Sequence, residues 1–368
     1  MPEEKFSLKD SLFNADSVSM LADALKNAYS DLQSDEFVKE AMAAFPALEL
    51  KERMSHLTRL IDKHLGLDFE TTLKVLDTSL SFAREDEHFV FGAYQEYIML
   101  HGCTDTHLET SLDYMGRFTS YFSAEFAIRP FINQFPERTF EQFKIWSVSS
   151  NHHQRRLASE GLRPKLPWAP KIDFDYTQAI EILDNLYFDS ERYVTRSVAN
   201  HINDISKMDP VLTVATLSKW KDEGKQDKKE MEYVINHSLR TLVKKGDPGT
   251  LNFLGYPTNP NIEIKNAVIH TPELKINESL IFDFDIEASE DLSLIIDYTI
   301  NYPMANGKRS DKVFKIKKLT LKKGQTVSLS KKHLFKIMTT KKLYSGAYGL
   351  ALKINGRSIE LGRFTLTV

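Results

Sequence analysis

The feature that most constrains this chain is a change of hydrophobic period at two closely spaced prolines, Pro257 and Pro260. Before them, apolar residues recur three and four apart, as on one face of a helix. After them, apolar and polar residues alternate, as on a half-buried strand. A chain of 368 residues is long enough for two domains, and the change of period divides it into residues 1–258 and residues 259–368.

The first part reads as all-α. Phe37–Ala44 has helical spacing, and Leu57, Leu60, Ile61 and Leu65 share one face. Thr106 with Glu109 three residues later has the pattern of a capping box. Further helices are expected at Ser120–Phe131, Phe140–Ser147, Asn151–Glu160 and Tyr176–Tyr187. The clearest pair is Ser190–Lys207 and Pro210–Asp222, with Pro210 suited to a first helical position. A last helix is expected from Lys228 to Lys244, stopped by Gly246. Helix pairs joined by short turns suggest a solenoid of HEAT-like repeats. One stretch interrupts it, Gly161–Pro170, whose Pro164, Pro167 and Pro170 exclude a regular helix; loops of that length in a helical array are often functional.

The second part reads as seven short strands: Ile262–Ile269, Ser279–Ile286, Leu292–Ile300, Val313–Leu321, Thr326–Leu329, Gly346–Ile354 and Ser358–Val368. Asn306-Gly307 and Asn355-Gly356 are hairpin signals. Seven strands in about a hundred residues suggest an immunoglobulin-like sandwich. The expected architecture is therefore multidomain α + β, a helical-repeat solenoid followed by a β-sandwich.

Charge is distributed unevenly. Residues 259–368 carry 18 Lys and Arg against 11 Asp and Glu, whereas residues 1–258 carry 30 against 40. Between Lys308 and Lys342 there are 13 basic residues and one acid, Asp311. Such a patch either attracts polyanions or is a solvated lysine-rich face. The single cysteine, Cys103, cannot form an intramolecular disulfide. The polar start MPEEKFSLKD does not resemble a signal peptide, and no apolar run is long enough to span a bilayer. A cytoplasmic monomer with no membrane association is expected.

Several catalytic devices are missing from the sequence: a phosphate loop, a dinucleotide glycine fingerprint, HExxH and CxxC. Neighbouring His152 and His153 do not have metal-ligand spacing, because consecutive side chains on a helix diverge. Asp283, Asp285 and Glu287 alternate as on a solvated strand face. Three segments are less ordinary. Glu125 sits in the apolar run Tyr121–Phe131, either functional or paired with Arg129 one turn on. The segment Asn151–Trp168 gathers Arg155, Arg156, Arg163 and Lys165 with Glu160 and Trp168. Glu160 can pair with Arg156, and Trp168 is either a stacking platform for a nucleobase or a core residue. Along Tyr193–Lys207, Val194, Val198, Ile202 and Ile205 form a buried stripe, leaving Arg196, Ser197, Asn200, Asp204 and Lys207 on the other face. Asp204 can pair with Lys207, and Arg240, Lys244 and Lys245 either bind phosphates or complement a helix C-terminus.

Three motifs, ASEGLRPKLPW, SVANHINDISKMDP and SLRTLVKKGDPGTLNFLGY, resemble the AlkC branch of the AlkC/AlkD family of bacterial alkylpurine DNA glycosylases. In the tail, FKIKKLTLKKGQTVSLSKKHLFKI and TTKKLYSGAYGL resemble the immunoglobulin-like domain that some members carry. The resemblance implies hydrolysis of the N-glycosidic bond of cationic lesions such as 3-methyladenine and 3-methylcytosine in double-stranded DNA, without deep base flipping and without metal or organic cofactor, in the bacterial cytoplasm at the nucleoid. It implies catalytic roles for Glu125, Glu160, Trp168 and Asp204, with Arg156 matched by local motif. DNA contacts are expected from Arg155, Arg156, Arg163, Lys165, Arg196, Asn200, Lys207, Arg240, Lys244 and Lys245, and on the sandwich from Lys317, Lys318, Lys322 and Lys323. Two other classes share these features: a non-catalytic helical-repeat protein that binds branched or damaged DNA, and a scaffold whose sandwich docks a protein partner.

Overall fold

The computed structural model describes residues 6–83, 88–337 and 342–368. Residues 1–5 of the polar start, and residues 338–341, which include Lys341 and the beginning of TTKKLYSGAYGL, lie outside the described residues. The chain forms two compact units: residues 1–205 with 223–237, and residues 206–222 with 238–368. The change from helix to strand falls between Phe253 and Ile262, so the second unit contains helices as well as a sandwich.

The first unit is a succession of short helices, most of them packed on a neighbour or next neighbour in the chain, with Ala15–Ala28 also against Phe69–Leu80. Local chemistry sets their ends. Asn14 and Ser17 form a reciprocal capping box at the start of Ala15–Ala28, and Asp68 caps Phe69–Leu80 by accepting from Thr71 N. Gly66, at φ 61°, ends Leu50–Leu65. Asn151 caps His152–Glu160 by accepting from His153 N at 2.9 Å. Leu57, Leu60, Ile61 and Leu65 are buried together, as their spacing predicts.

Three expected helices differ. Ser120–Phe131 is not one helix: Leu108–Phe118 ends, turns follow, and the next helix begins at Ile128. An apolar run is compatible with packed turns as well as with a helix. Thr106 does not form a capping box. The helix starts at Leu108 after His107, and Glu109 instead receives two 2.7 Å hydrogen bonds from Arg138. The helix expected over Lys228–Lys244 breaks at Leu239 into Lys228–Ser238 and Arg240–Lys245, and Gly246 closes the latter in the left-handed conformation.

Among the described residues the sandwich has eight strands: β1 (Ile262–Ile269), β2 (Glu273–Lys275), β3 (Ser279–Ala288), β4 (Leu292–Pro303), β5 (Arg309–Leu321), β6 (Thr326–Leu334), β7 (Gly346–Ile354) and β8 (Arg357–Thr367). One sheet has the order β1-β3-β6 and the other β2-β8-β7-β4-β5. β2, too short to show an alternation, pairs parallel to β8. Phe282, Phe284, Ile296, Tyr298, Leu350 and Leu352 from both sheets meet in the core. At the β7–β8 turn, Asn355 and Gly356 both have positive φ, as a type I′ hairpin demands.

That turn also ties the last helices to the sandwich. Lys353 Nζ donates to the carbonyls of Lys244 at 2.6 Å and Lys245 at 3.1 Å, occupying open acceptors at the end of Arg240–Lys245. Asn355, buried, donates to Pro257 O at 2.9 Å and accepts from Ile295 N at 2.7 Å. Gly246 and Gly356 meet backbone to backbone: a Cβ on Gly246 would lie 2.5 Å from the Cα of Gly356. Both glycines also have positive φ. Gly246→Ala and Gly356→Ala should therefore each destabilise the second unit by about 2 kcal/mol or more, combining the left-handed penalty with a backbone clash. Chemical denaturation followed by a sandwich-specific probe checks this; an Ala variant as stable as the native protein would contradict the close approach.

Candidate active site

The densest cluster of buried charge in the first unit lies between the helices His152–Glu160 and Arg192–Ile205 and the turn before Ile128. Glu160 is the last residue of its helix, 4% exposed, with both carboxylate oxygens engaged. Oε1 accepts from Arg163 and lies 3.7 Å from Arg156, and Oε2 accepts from Ser197 Oγ at 2.5 Å. Ser197 Oγ also lies 2.9 Å from Ser159 Oγ. Arg163 reaches on to Asp204, its Nε donating to Oδ2 at 2.9 Å. Asp204 is 1% exposed, and with Ser197 it faces the protein interior, not the solvent face assigned from helical spacing. Beyond the local partner Lys207 that the spacing suggested, Asp204 binds Arg163, 41 residues distant.

Glu125 occupies the turn ahead of Ile128, where it accepts from Arg156 Nη1 and from Ser123 Oγ, both through Oε2. Its expected partner Arg129 points elsewhere. Arg156 lies between the two carboxylates, Glu125 and Glu160, and its guanidinium rests over the Tyr193 ring at 5.1 Å. Burial alone depresses the basicity of Arg156 and Arg163, but the adjoining carboxylates more than offset it, and both stand above their ordinary values. Removing one partner from such a buried pair costs about 3–5 kcal/mol, far more than a surface ion pair contributes. A shallow depression lined by Ser120, Tyr121, Ser123, His153 and Tyr193 opens beside Glu125 and Arg156.

Trp168 is not a core residue. It is 84% exposed and has φ 61°, a left-handed backbone that costs a bulky residue about 1–2 kcal/mol. Lys165 is exposed on the same loop, and Arg196 is exposed on its helix. Arg155 is committed internally, forming a two-pronged pair with Asp189 at 2.5 and 3.0 Å. Asn200 is bound to His237 at 2.9 Å. Lys207, Arg240, Lys244, Lys245, Lys317, Lys318, Lys322 and Lys323 belong to the second unit. There Lys317 and Lys318 are both exposed. Lys318 lies 5.6 Å from the Tyr256 ring, and Lys322 pairs with Asp291 at 2.8 Å. Among the described residues, no group of three or more His, Cys, Asp or Glu is arranged to hold a metal ion, and no helix is long and apolar enough to cross a membrane.

Sequence reasoning missed three residues of this region. His201 is fully buried, with Nδ1 2.9 Å from Ser159 O and Nε2 without a partner. Arg129 is buried and binds only backbone carbonyls, and Lys51, from the first hundred residues, donates to Trp168 O at 2.6 Å. Their partners lie 32 to 117 residues away, outside the reach of any periodicity.

With a run of short helices followed by an immunoglobulin-like sandwich, and with buried carboxylates bridged by arginines in the helical part, the chain has the organisation of a two-part DNA-repair fold family. Residues 263–368 match the model of the C-terminal immunoglobulin-like domain of the uncharacterised protein YhaZ. YhaZ of Bacillus subtilis strain 168 is 34% identical over 349 residues, covering 94% of this chain and 95% of that protein. The solved structure of Pseudomonas fluorescens alkylpurine DNA glycosylase AlkC, bound to DNA containing an abasic site analog, superposes with a TM-score of 0.90 at 29% identity, covering 99% of this chain and 100% of that one. The chain belongs to the AlkC branch of the AlkC/AlkD family and carries the C-terminal immunoglobulin-like domain.

Burial pushes the His201 imidazole down to about 4, with Asp204 opposing and Arg163 reinforcing that shift. The folded state keeps this ring neutral, so its stability is undiminished above the ordinary histidine value of about 6.5. As pH falls toward 4, the unfolded chain takes up a proton that the folded one refuses, and stability falls. His201→Gln, which retains a donor for Ser159 O, should flatten the loss of stability between pH 6.5 and 4. Denaturation at a series of pH values measures the slope; an unchanged slope would mean that His201 is protonated in the folded state.

Proposed function

We propose that this protein is a monofunctional DNA glycosylase that hydrolyses the N-glycosidic bond of cationic alkylated bases, 3-methyladenine and 3-methylcytosine among them, in double-stranded DNA. The observation that carries the reading is the pair of carboxylates, Glu125 and Glu160, joined through Arg156 in a chain whose backbone follows that of the DNA-bound AlkC along its full length. An N3-alkylated base is already a cation and a good leaving group, so protonation by a general acid is unnecessary. What accelerates the reaction is negative charge near the sugar as oxocarbenium character develops, together with a positioned water.

We divide those roles between the two carboxylates by their hydrogen bonding. Both oxygens of Glu160 are held from inside the protein. Glu125 uses only Oε2, leaving Oε1 without a hydrogen-bond partner among the described residues. We therefore assign to Glu125 the contact with water or sugar, and to Glu160 and Asp204, through Arg163, the placement and field of the cluster. Trp168, an exposed indole, supplies a stacking surface for a base. The helical repeats hold the duplex, and the lysines of the sandwich grip its backbone.

The direct test is release of methylated base from alkylated duplex DNA by purified protein with EDTA present. Glu125→Gln and Glu160→Gln should each lower single-turnover release about a hundredfold or more, the usual scale for losing one electrostatic stabiliser. Glu160→Gln should also lower thermal stability, because it weakens the pairing of Arg163 and Arg156 together; Glu125→Gln, which leaves Arg156 beside Glu160, should lower it less. Full activity in both variants would assign these residues to structure alone, and absence of base release from the native protein would favour a non-catalytic DNA-binding protein.

For the sandwich, replacing Lys317, Lys318, Lys322 and Lys323 together with Gln should weaken binding to undamaged duplex. It should also reduce the log–log salt slope by about 0.9 for each phosphate no longer neutralised. Release at saturating enzyme should fall less than affinity. An unaltered salt slope would make the basic run a solvated face.

A further inference from the structure

The loop Gly161–Pro170 is tied to the rest of the first unit largely through its carbonyl oxygens. Its three prolines contribute no N–H groups, and it forms neither helix nor strand. Arg129, 1% exposed on the helix Ile128–Gln134, donates through Nη1 to Gly161 O at 3.1 Å and Arg163 O at 3.0 Å, and through Nε to Pro170 O. One guanidinium thus grips the loop at both ends. Lys51, exposed near the start of Leu50–Leu65, donates through Nζ to Trp168 O at 2.6 Å while lying over the Phe126 ring at 4.5 Å. Phe126 directly follows Glu125. Just beyond the loop, Asn133 donates to Lys171 O at 3.1 Å and accepts from Asp173 N at 2.9 Å.

These contacts have no ordinary stabilising explanation. None of the hydrogen bonds of Arg129 goes to a carboxylate; Glu125 and Asp204 support its charge without touching it, and desolvation, reinforced by Arg163, still pulls it down to about 10. A buried guanidinium without an ion-pair partner is retained only where its geometry is needed. Trp168, in turn, has a left-handed backbone that a bulky residue keeps only when its surroundings over-determine it. No aromatic ring stacks on its indole among the described residues, and the side chain is exposed. The orientation of that indole is therefore set from the backbone.

We propose that Lys51 and Arg129 are positioning residues that form a cationic clamp on the carbonyls of the Gly161–Pro170 loop and so fix the exposed Trp168 indole relative to Glu125. Its consequence for base release rests on the glycosylase reading above; its consequence for the loop does not.

The test uses the full chain labelled with 5-fluorotryptophan. The three tryptophans give three fluorine signals, and Trp168→Phe identifies the relevant one. Lys51→Met removes an exposed donor and should leave the fold intact. It should shift or broaden the Trp168 signal and leave those of buried Trp146 and Trp220 in place; Lys51→Arg should restore it. Arg129→Gln should produce a larger change in the same signal. Single-turnover release of methylated base at saturating enzyme should fall about tenfold to a hundredfold in Lys51→Met, the scale of a small misplacement, with DNA affinity nearly unchanged. The clamp is overturned if the Trp168 signal of Lys51→Met matches that of the native chain, or if that variant loses DNA affinity while its saturated rate holds, which would make Lys51 a phosphate contact. Absence of base release from the native protein would defeat the glycosylase reading while the fluorine signals still decide the clamp.

Discussion

A carboxylate withdrawn from water must find donors or lose its charge, and in this protein the burial of Glu160 and Asp204 governs the arrangement around them. Arg163 satisfies both, one through Nη1 and the other through Nε. Its planar fork suits this bridging role in a way that a lysine ammonium could not. Because Glu160 closes one helix and Asp204 lies near the end of another, the bridge also fixes how His152–Glu160 packs on Arg192–Ile205. Ser197 and Ser159 complete the same interface from the side. Arg163 can reach both acids only if the chain turns sharply after Gly161, so the start of the Pro-rich loop follows from the same pairing.

Much of this architecture was legible in the sequence, and the reasons are local. Pro210 at a first helical position, Gly246 as a helix stop and Asn355-Gly356 as a hairpin each act within a few residues, and all three are in place. The alternation after Pro260 identified the sandwich, and the helix–strand change lies where the period changes. Where local reasoning failed, a distant partner outcompeted a near one. Glu125 was offered Arg129 at one turn and took Arg156, and Asp204, read only against its own helix, also binds Arg163 from 41 residues away. Ser197 and Asp204 were placed on a solvent face because polar residues on an amphipathic helix usually are, yet the neighbouring helix supplied donors and acceptors that made burial affordable. Lys51 carried no sequence signal at all, since its role exists only through a carbonyl 117 residues away.

The second unit illustrates the same limit for domain boundaries. A change of period marks where backbone geometry changes, not where contacts cease. The helix Arg240–Lys245 is held by Lys353 from β7, and Pro257, at the periodicity break itself, is fastened to Asn355. The glycine pair Gly246 and Gly356 allows the two backbones to approach closely enough for these bonds to form. Compactness therefore groups the terminal helices with the sandwich, although their hydrophobic period belongs with the helices before them.

Charge balance within the cluster leads to a last step. Arg129, Arg156 and Arg163 match Glu125, Glu160 and Asp204 in number, so the assembly as a whole is neutral by formal charge. Its orientation is not neutral. Arg129 and Arg163 direct their donors inward, to loop carbonyls and to the two buried acids. The carboxylate nearest solvent, Glu125, keeps one oxygen unengaged and lies beside the depression lined by Ser123, His153 and Tyr193. The outward end of the network is thus the Glu125–Arg156 pair, with one carboxylate oxygen left to meet a ligand. A cationic centre brought to about 4 Å from Glu125 gains roughly 4 kcal/mol at the effective dielectric of a protein surface, and a neutral base gains nothing comparable. Selection for positively charged leaving groups would then follow from the direction in which the buried arginines point, with no pocket needed to enclose the base.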